Sequence, residues 1–490
     1  MVSEPVHARL AEAEEAQLGR LQQLFNLQHE AARQQPAISI PDRRSRLLRL
    51  ERALTANAAK LEAAISSDFG HRSIHETRIL EIFTAVTAAR NAHKHLPEWA
   101  KPEERAVSIF FKPSRNRVIY QPLGVVGVVA PYNFPLYLSI GPLVGALAAG
   151  NRVMLKLSEL TPRTGQALEE ILGEAFGPAE VAVISGGPEI SQAFCSLPFD
   201  HLLFTGSQRV GRLVMQAASA HPVPVTLELG GKCPVIIDGG INWPPMVKRI
   251  MLGKALNAGQ ICVAPDYVLL PRGSERLFVQ HAQAAVAALY PRLSSNPDYT
   301  SIASDQHHAR LQLMLEDARS QGAELIELNP GGGALPAGSR KIAPTLVLNP
   351  TPTMRVCQEE IFGPLLPLVS YASLDEAIRY VKARPRPLAL YCFSRDRGFI
   401  REVIERTESG SVGVNTVVRH AGQTELPFGG TGESGFGRYH GEEGFKLFSN
   451  QRGVMYEGRY TSFATFYPPY GRVVDTLLKV MLKPSRNTTE

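Results

Sequence analysis

The 490-residue sequence is poor in cysteine: its five cysteines are Cys195, Cys233, Cys262, Cys357 and Cys392. They lie far apart, their number is odd, and none forms the C-x-x-C pair typical of structural zinc sites. Neither a disulfide framework nor a metal site is therefore predicted. Free thiols are typical of a reducing compartment, so we expect a cytoplasmic protein.

The sequence also lacks a strong excess of charge. Lys and Arg number 52 and Asp and Glu number 46, which gives a formal net charge of +6, and no long basic run occurs. Nucleic-acid binding is therefore not expected. Hydrophobic residues make up 44% and charged residues 20%, which is typical of globular proteins and argues against a disordered chain.

Long unbroken apolar runs are absent too. The N-terminal segment is charged and helix-like, without the apolar core of a signal peptide. Residues 118–151 carry no charge, but four prolines and five glycines interrupt them, whereas a membrane-spanning helix needs about 20 largely uninterrupted apolar residues. We expect no membrane span here, but a buried strand, a loop and a buried helix.

The sequence does contain a regular alternation of strands and helices. Residues 1–35, 43–67 and 76–95 show helical spacing and form a helical preface. Two runs of apolar strands and amphipathic helices follow, which predicts an α/β fold with two doubly wound, Rossmann-like domains and a cleft between them. Ligands should bind at the carboxyl ends of the strands. The strands are predicted at 123–130, 152–157, 181–185, 201–204, 224–229, 267–271, 345–348, 365–370 and 388–393.

Two residues stand at positions suited to nucleophilic chemistry. Cys262 lies in the segment Gly259–Asp266, and Glu228 lies at the end of a predicted strand, just before the turn Gly230-Gly231. A single cysteine is more often a small buried apolar residue, and a carboxylate before a turn often lies at the surface. From these residues alone, the catalytic and the structural interpretations both stay open.

Three further segments carry polar groups near predicted strand ends. The amide of Asn133, between two apolar elements, is either a turn residue or an oxyanion donor. Gly206, Ser207 and Gly211 mark a strand that ends where a helix begins, and the free N–H groups of such a helix can bind phosphate. The G-x-G-x-x-G run at 430–435 precedes no helix pattern, so we interpret it as a loop.

The third of the segments near predicted strand ends carries Lys156 and Glu159. They are suited to hydrogen bonds with sugar hydroxyls, or they form an ordinary exposed pair. His420 and His440 could suggest a proton relay, but we place neither among the catalytic residues.

Taken in order, these segments resemble the aldehyde dehydrogenase superfamily over about residues 41–449. Glu228 precedes Cys262 by 34 residues, and Glu360-Ile-Phe362-Gly-Pro and Leu426-Pro-Phe-Gly-Gly430 follow. The segments at 224–232, 262–267 and 437–441 resemble the class 3 branch, and the Pro-Pro-Tyr-Gly tail resembles bacterial coniferyl aldehyde dehydrogenases. Tyr132 departs from the tryptophan that many relatives carry beside the asparagine, so the wall of the substrate tunnel should differ.

The resemblance implies a mechanism for aldehyde oxidation. Cys262 would attack the aldehyde carbonyl, and the Asn133 amide with the Cys262 backbone N–H would bind the oxyanion. Glu228 would act as general base on the thiol or on the hydrolytic water. The substrate would be a small-molecule aldehyde, such as coniferyl aldehyde.

The same resemblance implies NAD as cofactor, with NADP possible. Glu360 would hold the nicotinamide ribose, Phe362 would pack beside the nicotinamide, and Gly206, Ser207 and Gly211 would lie at the phosphates. Lys156 and Glu159 would hold the adenosine ribose, where a carboxylate should repel a 2′-phosphate.

The implied organisation has three parts and a homodimer. Residues 1–229 would hold the preface and the NAD-binding domain, 230–425 the catalytic domain, and 426–490 a C-terminal oligomerisation segment joined by a stretch near 105–125. Four alternatives stay open: a long-chain or general aliphatic aldehyde dehydrogenase, a coenzyme A-acylating enzyme, a non-catalytic scaffold and a cysteine hydrolase. The retained Glu228 favours hydrolysis over acylation of coenzyme A.

Overall fold

The computed structural model describes residues 4–460 and 462–484, so the ends of the predicted first helix and of the tail lie outside the described residues. Its helices are α1 (Glu4–Gln34), α2 (Ile40–Ala56), α3 (Ala58–Phe69), α4 (Ile74–Thr77), α5 (Phe83–Trp99), α6 (Tyr137–Ala149), α7 (Pro162–Ala175), α8 (Pro188–Cys195), α9 (Gln208–Ala218), α10 (Trp243–Ala255), α11 (Glu275–Leu289), α12 (Asp305–Ser320), α13 (Arg355–Gln358), α14 (Leu374–Lys382), α15 (Arg397–Arg406), α16 (Gly441–Leu447) and α17 (Arg472–Met481).

The strands follow the predicted alternation, and the structure adds strands that were not predicted. They are β1 (Glu103–Arg105), β2 (Arg115–Pro122), β3 (Val125–Val129), β4 (Arg152–Lys156), β5 (Val181–Ile184), β6 (His201–Gly206), β7 (Val225–Leu229), β8 (Pro234–Ile237), β9 (Tyr267–Pro271), β10 (Glu324–Glu327), β11 (Thr345–Leu348), β12 (Leu365–Tyr371), β13 (Ala389–Phe393), β14 (Ser411–Val414), β15 (Gly435–Phe436) and β16 (Ser449–Tyr456).

The first large sheet has the order β15-β7-β6-β3-β4-β5. All of its neighbouring strands are parallel except β15, which pairs antiparallel with β7. The strands are almost entirely buried because helices cover both faces. Apolar residues of α6 and α7 fill the core on one face, and α1, α8 and α9 cover the other.

The second large sheet has the order β10-β11-β12-β9-β8-β13-β14 and is parallel except for the edge strand β10. Two parallel sheets with helices on both sides confirm the predicted α/β fold. The run at 430–435, predicted as a loop, forms a single 3₁₀ turn at Gly432–Ser434 and starts no α-helix, and its last glycine begins β15 against β7.

A third, antiparallel sheet has the order β1-β2-β16. β2 and β16 pair along their full eight-residue length, from Arg115 opposite Tyr456 to Pro122 opposite Ser449. This pairing joins residues 115–122 to the C-terminal part of the chain. The boundaries at 229 and 425 stay predictions.

The helical preface is more broken than its sequence spacing suggested. The segment 43–67 divides at Asn57 into α2 and α3. The predicted helix at 76–95 begins with the short α4 and a wide turn at Arg78–Ile82 before α5. No helix of the described residues is long and apolar enough to cross a membrane.

Candidate active site

Cys262 lies just beyond a tight left-handed turn that follows α10. Asn257, Ala258 and Gly259 all have positive φ, at 49°, 51° and 76°. A Cβ at Gly259 would overlap the carbonyl oxygen of Gly363, so this position requires glycine. The turn leaves the Cys262 side chain half-buried, whereas the other four free cysteines are buried.

Burial governs the acidity of the Cys262 thiol. Burial first, and then the nearby carboxylates of Glu360 and Glu228, raise its pKa to about 12, while the backbone N–H groups of Cys262 and Val263 oppose this shift. Since the thiolate is the nucleophile, the thiol needs a base to react at neutral pH.

Glu228 is the candidate for that base. It lies near the carboxyl end of β7 and is buried, and neither carboxylate oxygen has a hydrogen-bond partner among the described residues. Burial raises its pKa well above the usual value, and the Arg438 guanidinium opposes the shift. A buried acceptor without a partner is costly, so the carboxylate is suited to a ligand or a water. A Cβ at Gly429 would lie 2.9 Å from Oε1.

Asn133 joins its own segment to that of Cys262. Its side-chain Nδ2 donates to the carbonyl oxygen of Gln260 at 3.0 Å. Its backbone carbonyl accepts from Asn257 Nδ2 and from Arg72 Nη1, both at 3.1 Å. An amide carries two N–H hydrogens, so one remains for a ligand.

Glu360 lies against the glycine turn that follows β7. A Cβ at Gly230 would overlap its carboxylate. Burial first, then the charge of Asp266, raise the pKa of Glu360 to about 7, while the Gly231 N–H, Lys232 and Arg310 lower it. Glu228 and Glu360 therefore flank one short turn.

Side chains from other parts of the chain hold the backbone of the segment that carries Glu360. Arg310 Nη1 donates to the carbonyl of Glu360 at 3.1 Å, and the N–H of Ile361 donates to Asp266 Oδ2 at 2.9 Å. Phe362 has φ 49°, and its ring centroid lies 6.0 Å from that of Tyr132. Tyr132 also packs on His307, so the segment carries an aromatic wall.

The residues predicted for the adenosine end lie at the carboxyl edge of the first sheet. Lys156 ends β4, is fully buried and donates from Nζ to the carbonyl of Leu157 at 2.7 Å. Burial lowers the pKa of Lys156, and Glu159, which is exposed, opposes this shift.

Helix α9 begins directly after β6, at the position that the sequence predicted. Ser207 caps α9 by accepting from the Val210 N–H at 3.3 Å, directly after Gly206 ends β6. A Cβ at Gly211 would lie 2.8 Å from a methyl of Leu229, so glycine lets α9 lie close to β7. Thr205 Oγ1 is buried without a hydrogen-bond partner among the described residues.

Several supporting residues were not singled out from the sequence. Lys232 forms an ion pair with Asp266 and donates to the carbonyls of Val356 and Glu359, both at 2.8 Å. The pair ties the strands of the second sheet to the Glu360 segment. The only sequence signal was that Lys232 and Asp266 lie inside the two motifs, 34 residues apart.

Both histidines lie outside this cluster of hydrogen bonds. Burial lowers the pKa of His420 to about 4 and that of His440 to about 3, so both are neutral at pH 7. His440 Nε2 lies 3.0 Å from Tyr137 Oη, and its ring stacks on Phe428. No group of three or more His, Cys, Asp or Glu in the part of the chain that the structure describes could hold a metal ion.

Several solved structures share the fold. The substrate-bound state of Staphylococcus aureus AldH has a TM-score of 0.89 and 35% identity, covering 94% of this chain and 99% of that one. A Mycobacterium tuberculosis aldehyde dehydrogenase complexed with NAD+ has a TM-score of 0.78 and 27% identity, covering 87% of each chain.

Sequence comparison gives the same result. A probable coniferyl aldehyde dehydrogenase of Pseudomonas aeruginosa is 46% identical over 462 residues, 94% of this chain and 96% of its own. The coniferyl aldehyde dehydrogenase of Pseudomonas sp. strain HR199 is 46% identical over 442 residues, 89% and 92% of the two chains. The aldehyde dehydrogenase family model matches residues 2–454. The chain therefore belongs to the aldehyde dehydrogenase family, and it is an oxidoreductase of that family.

Proposed function

We propose that the protein oxidises an aldehyde to a carboxylic acid with NAD, through a covalent intermediate on Cys262. One observation carries the proposal: the half-exposed Cys262 shares a site with a buried Glu228 whose carboxylate is unpartnered among the described residues. A nucleophile beside a base in a partly closed site is the arrangement that acyl chemistry needs.

The first step is attack on the aldehyde carbon. Glu228, once ionised, accepts the thiol proton, and Cys262 Sγ bonds to the carbonyl carbon to give a hemithioacetal. The second N–H of the Asn133 amide and the backbone N–H of Cys262 donate to the oxyanion. Because hydrogen bonds to backbone carbonyls hold Asn133, its amide needs little reorganisation as charge develops.

The cofactor residues fit a dinucleotide. The start of α9 at Ser207 presents free N–H groups suited to its phosphates, and the orphaned hydroxyl of Thr205 lies at the same strand end. Glu360 would hold the nicotinamide ribose, with Phe362 beside the ring. Lys156 and Glu159 would hold the adenosine ribose, which favours NAD over NADP. When bound, NAD supplies the hydride acceptor that converts the hemithioacetal to a thioester.

Hydrolysis then restores the enzyme. Glu228 first releases the thiol proton to solvent, and it then takes a proton from water as the water oxygen attacks the thioester carbon. The C–S bond breaks, and this second proton passes to the sulfur of Cys262. The products are the carboxylic acid and the free thiol of Cys262. Overall, aldehyde, NAD and water give acid, reduced NAD and a proton.

We propose coniferyl aldehyde or a related aromatic aldehyde as substrate. The support is the 46% identity to two proteins that carry that name, together with the aromatic wall of Tyr132, His307 and Phe362. We further propose a cytoplasmic homodimer, with the five free thiols consistent with a reducing compartment.

The test is a steady-state assay with NAD and NADP separately against coniferyl, benzyl and long-chain aldehydes. Acid formation is confirmed by chromatography, because coniferyl aldehyde absorbs near reduced NAD. We expect free acid with NAD and no need for coenzyme A, and Cys262→Ala should abolish turnover while cofactor still binds. Turnover that requires coenzyme A would instead identify an acylating enzyme, and turnover by Cys262→Ala would remove the nucleophile.

A further inference from the structure

Three charged side chains of the helical preface are buried beside the site, although the proposed chemistry does not use them. Arg72, Glu76 and Glu81 are 1%, 6% and 0% exposed. Buried charges are unfavourable unless they are paired and hydrogen-bonded. Their partners therefore show what these residues hold in place.

Arg72 and Glu81 hold the segment that carries Asn133. Their side chains form an ion pair of 2.7 Å, and Glu81 Oε2 accepts from the N–H groups of Leu136 at 2.7 Å and Tyr137 at 3.1 Å. Arg72 Nη1 also donates to the Asn133 carbonyl at 3.1 Å. This ion pair fixes the chain just before and within the start of α6.

Glu76 holds the segment that carries Cys262. Both of its carboxylate oxygens lie 3.1 Å from the backbone nitrogen of Asn257, and Thr300 Oγ1 donates to Oε2 at 2.7 Å. Asn257 is the first residue of the left-handed turn before Cys262. Its side-chain Nδ2 in turn donates to the carbonyls of Asn133 and Gln260, both at 3.1 Å.

The turn needs such an external contact. Asn257 and Ala258 are not glycines, yet they have φ of 49° and 51°, in the left-handed region that is unfavourable above all for a residue such as alanine. The surrounding structure must therefore compensate for this strain. Glu76 is the carboxylate that accepts the N–H at the start of the turn.

We propose that Glu76 is a positioning residue for aldehyde oxidation, because its carboxylate holds Asn257 and thereby sets the turn that places Cys262 against Asn133. This inference rests on the proposed role of Cys262. Glu76 does not touch the reacting atoms. Its loss should lower kcat and the reactivity of the Cys262 thiol, while cofactor affinity stays close to that of the wild type.

Two substitutions in the full-length protein separate hydrogen-bond acceptance from charge. Glu76→Gln keeps the length and one acceptor oxygen but loses the charge. Its kcat should stay within about threefold of wild type, which is less than the effect of losing one hydrogen bond. Glu76→Asp keeps the charge but loses reach to the Asn257 N–H, so kcat should fall about tenfold. The rate of Cys262 alkylation by iodoacetamide, followed by mass spectrometry, should change with Glu76→Asp and not with Glu76→Gln.

Glu62→Gln is the matched control, because Glu62 is a buried preface carboxylate that pairs with Arg78 and not with either active-site segment. It should leave kcat and alkylation unchanged. Wild-type kcat in Glu76→Asp, or equal losses in Glu76→Asp and Glu76→Gln, would overturn the positioning role. If the proposed role of Cys262 is wrong, Cys262→Ala will still turn over, and this result does not depend on the Glu76 variants. The alkylation assay needs no turnover, so it tests Glu76 separately.

Discussion

At the scale of single residues, the site holds two groups whose protonated forms are favoured by burial. The thiol of Cys262 and the carboxyl of Glu228 both have raised pKa values, and burial is the largest cause for each. A protonated Glu228 cannot accept the thiol proton. The ionised fraction of Glu228 thus limits the reactive fraction of the enzyme.

This gives a pH prediction with a definite sign. Because the Glu228 pKa is raised, its ionised fraction at pH 7 is smaller than that of an ordinary glutamate and grows as the pH rises. We expect kcat/KM to increase from pH 6 to pH 9. Measured against the wild type, Glu228→Gln should lose most of this increase and fall by about 10²-fold or more at pH 9.

Glu425→Gln serves as the control for that series, since Glu425 is an exposed carboxylate bonded to the Asn91 side chain. Its pH profile should match the wild type. A wild-type profile that is flat or falls with pH would contradict the role of Glu228 as the ionising base.

At the scale of elements, the left-handed turn between α10 and Cys262 is the most constrained segment of the site. Gly259 has φ 76°, and a Cβ there would meet backbone atoms rather than a flexible side chain. Relief of this overlap would require the turn or the Gly363 segment to move. Both segments carry proposed site residues.

We therefore predict that Gly259→Ala destabilises the fold much more than the same substitution at a glycine that has positive φ but no close neighbours. Gly273 has φ 87° but no atom within 4 Å of a built Cβ, so Gly273→Ala reports the conformational cost alone, about 1 kcal/mol. Gly259→Ala should lose about 2–3 kcal/mol more of unfolding free energy and most of its activity. Equal destabilisation of the two variants in urea titrations would show that the overlap is relieved without cost.

The elements also show what the sequence could and could not predict. Buried parallel strands such as β4 and β9 are continuous apolar runs, so their bounds were predicted within a residue or two. The sequences of β2 and β16 are mixed and partly exposed, and their pairing spans more than 300 residues. The hydrophobic pattern within one strand does not indicate which distant strand pairs with it.

The same limit applied to the site. Cys262, Glu228 and Asn133 stand in recognisable motifs, whereas Glu76 is linked to Asn257 across 181 residues. Nothing near Glu76 in the sequence distinguishes it from an exposed helix carboxylate. Its burial, and not its spacing, identifies it.

At the scale of the whole molecule, the described tail adds little to the core. Most apolar side chains of α17 are exposed, among them Val473, Leu477 and Val480, and Val474 is the one that the chain buries. β16, by contrast, completes the third sheet against β2. The two parts of the C-terminal segment should therefore contribute very differently to stability.

Two truncations test this difference. A chain ending at residue 460 should keep its monomer fold and unfold within a few degrees of the full-length chain, because it retains β16. A chain ending at 448 should unfold far earlier, since β2 loses its eight-residue partner. Thermal melts followed by circular dichroism measure both, and similar melting temperatures for the two truncations would contradict the assignment.

The short pairing of β15 with β7 has a consequence for biosynthesis. Glu228 lies on an edge strand until Gly435 is synthesised, roughly 200 residues later. At about 5–20 residues per second, that interval lasts about 10–40 s on the ribosome. Throughout it the nascent chain exposes a carboxylate-bearing strand without its neighbour, so the proposed catalytic base is among the last parts of the molecule to be enclosed.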